Sequence, residues 1–125
     1  MKSKDFDTDG ATNKVLIRHL AGTQLLLEFE RIHSVIFGSQ IFLLKQLNIA
    51  IPIGYSETDI YAFFEKVKQL NREALIDWDC DKYLSYLISK SLILKNDINE
   101  IHITNMGVEY LTWIARNGIS EDRPL

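Results

Sequence analysis

The sequence predicts a mainly α-helical domain with one small β-hairpin near its C-terminal end. Three observations lead there. Apolar residues recur at helical spacing through most of the chain, and strict alternation takes over only after Ser91. Of the 125 residues, 46% are hydrophobic and 25% charged, the mix of an ordinary globular domain. A chain of that length supports a single core without staples. The composition excludes a disordered tail, a collagen-like repeat and a disulfide scaffold.

Taken in order, residues 1–13 are polar, rich in Asp and Thr, and read as a frayed arm. Val15, Leu16, Ile17 and Leu20 then form an apolar run before Gly22. Thr23 is placed to cap a helix whose stripe is Leu26, Phe29, Ile32, Val35 and Ile36. Gly38 breaks that pattern, and Ser39 is a suitable cap for a second helix through Leu47. Ile41, Phe42, Leu43, Leu44 and Leu47 suggest that this helix is buried on most sides. Residues 48–55 hold Pro52 and Gly54 and read as a loop, with a short extended stretch at 49–51.

Ser56 and Asp59 have capping-box spacing, with Asp in place of Glu. The helix they open carries Ile60, Phe63, Phe64, Val67 and Leu70 on one face, with Glu65, Lys66, Lys68 and Gln69 outward. A further helix, capped by Asp77 or Asp79, buries Cys80, Tyr83, Leu84, Leu87 and Ile88. Residues 92–94 and 100–104 read as two strands around a turn at 95–99, and such a hairpin must pack on the helices to persist. Thr104 caps a last helix bearing Val108, Leu111, Ile114 and Ala115, which stops at Gly118. The polar residues 120–125 are expected to be mobile.

Charge and chemistry narrow the function. Seventeen acids against fourteen bases give a net charge of −3, so no whole-molecule positive field exists. The lone Cys80 cannot form an internal disulfide, and acids follow the N-terminal lysines where a signal peptide would turn apolar. The longest run without Lys, Arg, Asp or Glu, from Ile32 to Leu44, is too short to span a bilayer. A cytoplasmic protein with no membrane partner is expected. Glu30 and His33 have the Glu-x-x-His spacing of bundle metal ligands, but no second copy exists. His19 and His102 stand alone, and Asp79 and Asp81 disfavour a Cys80 thiolate. Trp78, Tyr110 and Trp113 read as core before they read as a ligand pocket. No phosphate loop or nucleophile motif is present, so neither catalysis, a cofactor nor a metal is expected.

Residues 83–93, Tyr-Leu-Ser-Tyr-Leu-Ile-Ser-Lys-Ser-Leu-Ile, and 101–111, Ile-His-Ile-Thr-Asn-Met-Gly-Val-Glu-Tyr-Leu, resemble the distal half of a winged-helix domain. In that superfamily a helix ends in a small residue followed by Leu-Ile, which starts the wing. The wing returns through Ile-Thr-x-x-Gly-x-x-x-Leu, matched here by Ile103, Thr104, Gly107 and Leu111. Ser91 stands where Gly is commoner. Residues 39–47 resemble the first helix of the module. The likeness covers about 39–114 and is similar to regulators of the MarR and PadR kinds. It implies a winged helix-turn-helix domain at 39–118; outside it the sequence adds an arm at 1–13, a dimerising helical extension with an additional N-terminal helix at 14–38 and a flexible tail at 119–125.

Two functions follow from that resemblance. The first is double-stranded DNA binding by a dimeric transcriptional regulator. Lys82, Ser85, Tyr86, Ser89 and Lys90 would face the groove, with Lys95 and Asn96 on the wing near phosphate. The second is a protein–protein assembly module without DNA contact. It is motivated by three bases against three acids over 78–97, and three bases against five acids over 56–77. In either case Leu25, Leu26, Phe29, Ile32, Val35 and Ile36 are the expected homodimer contacts, because three consecutive leucines point in three directions.

Overall fold

The structure, a computed structural model, describes residues 24–125. The arm at 1–13, the apolar run at 14–20 with His19, and the Thr23 cap lie outside those residues. The chain divides into two compact units, Met1–Val35 and Ile36–Leu125.

In the first unit, residues 24–35 form helix α1. Phe29 and Ile32 are buried, whereas Leu26, Leu27 and Val35 are exposed. An i,i+3 ion pair, Arg31 to Glu28 at 3.8 Å, lies along its surface and contributes little in water.

The second unit contains four helices and a hairpin: α2 (Gly38–Ile49), α3 (Glu57–Leu70), α4 (Cys80–Ser89), β1 (Ile93–Lys95), β2 (Ile101–Ile103) and α5 (Asn105–Arg116). Its centre is α2, whose Ile41, Leu43, Leu44 and Leu47 are buried. This helix packs on α5 and β2, while α3 packs on α4 and α4 on β1. Being covered from more than one side, α2 needs apolar residues on more than one face. The helix break falls at 36–37 rather than at Gly38, and the N-cap is Phe37, not Ser39. Phe has no acceptor for the first-turn N–H groups; Gln40 Oε1 instead accepts from the Phe37 backbone N–H at 2.9 Å, the return half of a capping box. Gln40 is 2% exposed, and its Nε2 also donates to the Tyr83 carbonyl at 2.9 Å. Both ends of a buried amide are thus satisfied, and α2 is tied to α4. Freed from capping, Ser39 shares a hydrogen bond with the buried Tyr83 hydroxyl.

The loop after α2 has no extended stretch at 49–51; extended pairing begins at Tyr55. Its N–H and C=O exchange hydrogen bonds of 2.9 and 2.8 Å with Ile101, which adds a one-residue third strand beside β2. Gly54, at φ +73°, makes that approach possible: a Cβ there would lie 2.5 Å from the His102 ring.

Ser56 caps α3 by accepting from Asp59 N–H at 3.1 Å, and Asp79, not Asp77, caps α4 by accepting from Lys82 N–H at 2.7 Å. Ile60, Phe64 and Val67 are buried on α3, and Cys80, Tyr83, Leu84 and Leu87 on α4. Leu70 is 84% exposed and Ile88 is exposed too, against expectation. Each sits about 80° from the centre of its stripe, beyond the arc that one packed neighbour covers. The hairpin register pairs Ile93 with Ile103, Leu94 with His102 and Lys95 with Ile101.

Thr104 caps α5, accepting from Gly107 N–H at 3.0 Å. The buried face of α5 is Gly107, Tyr110 and Ile114, whereas Val108 and Leu111 are half-buried and Ala115 is exposed. That face is rotated by about one residue from the predicted one. Gly107 sets the rotation, since a Cβ there would sit 2.4 Å from the Leu92 carbonyl oxygen and 2.6 Å from Ile103. The end of the chain is not loose. Pro124 and Leu125 carbonyls accept from Gly38 and Ser39 N–H at 3.1 and 3.2 Å, and Glu121 pairs with Lys45. The first turn of α2 has N–H groups with no intrahelical acceptor, and residues 124–125 satisfy two of them.

Among the described residues, no helix is long and apolar enough to cross a membrane. The coarse architecture is therefore mainly helical with a two-stranded antiparallel hairpin.

Candidate interaction face

The residues singled out for DNA contact lie on α4, on β1 and in the turn after it. Each has an internal partner. Ser85 and Ser89 hydroxyls turn back to donate to the Lys82 and Tyr86 carbonyls at 2.8 and 2.7 Å, as helical serines commonly do. Lys82 places its ammonium 4.4 Å from the Trp78 ring centroid, a cation–π contact, and Lys90 lies 6.0 Å from the Tyr86 ring. Lys95 reaches from β1 to Glu57 of α3, Nζ to Oε2 at 3.7 Å.

Asn96 is not free at the hairpin tip. Its Oδ1 accepts from Ile98 and Glu100 N–H at 3.1 and 2.8 Å, and its Nδ2 donates to Glu100 Oε1 at 3.0 Å. The Asn96 side chain thus organises the turn in the manner of an Asx turn. That amide, and then His102 at 3.4 Å, hold the Glu100 carboxyl below the usual glutamate range.

Between the N-terminal ends of α3 and α4, beside the hairpin, lies a shallow open cleft with room for little more than a water molecule. Ile60, Cys80, Leu84 and Ile101 form its apolar lining; Glu57, Asp81, Tyr61, Lys95 and Asn99 form its polar rim. Acids occupy the first turn of both helices, Glu57 and Asp59 on α3 and Asp81 on α4, with Asp79 as the α4 cap. Helix N-termini favour such acids, which explains their presence without a ligand. Their field is nonetheless felt: Asp81 first, then partial burial, Glu57 and Asp79, raise the Tyr61 phenol. Burial first, and Asp81 and Asp79 next, push the Cys80 thiol up to about 11, which disfavours its thiolate.

The expected dimer contacts are split. Phe29, Ile32 and Ile36 are buried within one chain, whereas Leu26 and Val35 are exposed and Leu25 is half-buried. Tyr110 is buried and stacks on Trp113 at 6.0 Å, while Trp78 lies 5.4 Å from Phe37; these aromatics are packing residues. No group of three His, Cys, Asp or Glu side chains capable of holding a metal occurs among the described residues.

Sequence reasoning passed over the cleft. Its signal was present as acids in the first turns of two successive helices, but the contribution of the hairpin, Lys95 and Asn99, required the fold. Comparison with known protein families, curated proteins and solved structures finds no match.

Proposed function

We propose that the second unit is a winged helix-turn-helix domain and that it serves as a protein–protein assembly module. The winged-helix reading is supported by the order helix, helix, helix, hairpin, helix and by the single-residue third strand at Tyr55. In this reading α4 is the recognition helix and the hairpin is the wing.

One observation carries the choice of assembly over DNA. The N-terminal residues of a recognition helix meet base edges in the groove, close to the phosphates. Here that end carries Asp79 and Asp81, and Glu57 and Asp59 open the neighbouring α3. Residues 36–125 hold nine bases against twelve acids, so no surplus of positive charge offsets them. Phosphate attraction normally supplies much of the affinity for DNA, and these groups oppose it.

A second reading, a DNA-binding dimeric regulator, draws on Lys82 and Lys90 two turns apart on α4. Anisotropy of a labelled duplex titrated with the full chain at about 50 mM salt separates the two. The assembly reading expects no saturable binding at micromolar protein. Saturable, strongly salt-dependent binding that is lost in the Lys82→Ala, Lys90→Ala double variant overturns it. A homodimer through residues 24–35 belongs to either reading and rests on the exposed Leu26, Leu27 and Val35; light scattering that finds only a monomer at micromolar concentration removes it.

A further inference from the structure

We infer that the face shared by α2 and α3 is a self-association surface, on which a second copy of this chain docks about a two-fold axis with its α3 antiparallel to the first. The contact is separate from α1. It uses none of Lys82, Ser85, Ser89 and Lys90, so it goes beyond the choice between assembly and DNA.

The face begins at a pair of rings. Phe42 of α2 and Phe63 of α3 stack with 10° between their planes and 6.2 Å between centroids, yet Phe42 is 53% exposed. A step of seven residues is two helical turns and returns to the same side of a helix. Ile49, 77% exposed, therefore continues the stripe of Phe42, and the exposed Leu70 continues that of Phe63. The loop after α2 adds Ile51 and Ile53, both exposed. Two apolar stripes thus meet at one stacked pair. Soluble monomers rarely leave such a face open, and with its polar rim it matches the scale of a standard interface, roughly 800 Å² per partner.

Charge says what covers it. Asp59 and Lys66 are exposed on the same stripe of α3, one on either side of Phe63. Neither side chain makes an ion pair or hydrogen bond among the described residues. They stand two turns apart, about 10 Å along the helix, too far to pair with each other. Antiparallel packing of two α3 helices around Phe63 sets Asp59 opposite Lys66 of the partner subunit, twice over. The same register sets Phe63 opposite Ala62 of the partner subunit, a small exposed residue that leaves room for the ring. A two-fold contact requires a patch that is its own complement, and an acid and a base balanced about a central ring form one.

The test is the mass of the full chain in solution, by light scattering and sedimentation equilibrium at about 50 mM salt. Self-association is expected in the unaltered chain. Asp59→Lys and Lys66→Asp should each weaken it at least about tenfold, because each sets like charges opposite one another across the axis. An equimolar mixture of the two variants should recover it, since every pair across the axis is then opposite in sign. Recovery on mixing also verifies that both variants fold. Pairing through α1 does not depend on these charges, so a mass that drops and is restored on mixing belongs to this face. A chain that stays monomeric, a mass that neither variant changes, or a mixture as weak as its parts overturns the proposal.

Discussion

Two turns of the second unit make the same backbone demand and meet it differently. At the α4–β1 corner Ser91 has φ 61°, and at the β1–β2 turn Asn99 has φ 63°. Neither is glycine. Asn visits the left-handed region at small cost because its short side chain can bond locally, whereas Ser does so less readily. The corner compensates through its surroundings. Ser91 and Leu92 N–H groups close on the Ile88 and Leu87 carbonyls at 2.9 Å each, satisfying the end of α4 as in a Schellman motif. Thr104 clasps the Ser91 carbonyl with its hydroxyl while capping α5, and Gly107 lets α5 press against Leu92.

The hairpin turn works with local chemistry alone. Asn99 N–H donates to the Asn96 carbonyl at 3.1 Å, Asn96 N–H to the Glu100 carbonyl at 3.0 Å, and the Asn96 side chain fills the loop. The pattern is a three-residue hairpin loop with its left-handed residue last. A strained residue is tolerable where packing from three elements over-determines it; an exposed turn has to be right by itself.

The largest test of that contrast is Gly107→Ala. The added Cβ would meet a backbone carbonyl at 2.4 Å, which cannot rotate aside. A loss of about 2–3 kcal/mol in urea unfolding is expected, in line with overpacked cores. A loss under about 0.5 kcal/mol would show that α5 is not pressed against the corner. Next come the two turns themselves. Ser91→Gly should stabilise the protein by about 0.5–1 kcal/mol, because strain relief exceeds the added entropy of the unfolded chain. Asn99→Gly should change stability by only a few tenths of a kcal/mol. Equal effects in thermal unfolding would erase the distinction between corner and turn.

The smallest effect concerns pH. Glu100 is held below its ordinary range in the folded state, first by the Asn96 amide and then by His102. A carboxyl depressed on folding contributes stability that is present above its unfolded pKa and is lost as pH falls through the lower folded value. Asn96→Ala should move the Glu100 carboxyl resonance to titrate at higher pH and weaken that acid-side dependence. An unmoved titration would mean that the local amide does not organise the turn.

Much of this was legible in the chain. Capping depends on one side chain and the next three residues, so Ser56, Asp79 and Thr104 were readable as caps. The hairpin was readable because alternation over 100–104 differs from the helical period before it. The stripes of α3 and α4 were also readable at their centres, Ile60, Phe64, Tyr83 and Leu87. Periodicity fixes which residues share a face, but how wide an arc becomes buried depends on the neighbour, and so Leu70 and Ile88 ended outside.

Tertiary structure alone decided the rest, because these features join residues far apart in sequence. Gln40 caps the break at Phe37 and holds α4, a role set by a helix more than forty positions away. The α5 face turned toward Tyr110 because Gly107 meets Leu92. Residues 124–125 became a strap because the start of α2 had N–H groups to satisfy. The cleft exists only where two helix ends and a hairpin converge. Local chemistry determines caps, turns and periods; contacts between distant residues determine which side of each element faces inward, and with it what remains outside to bind.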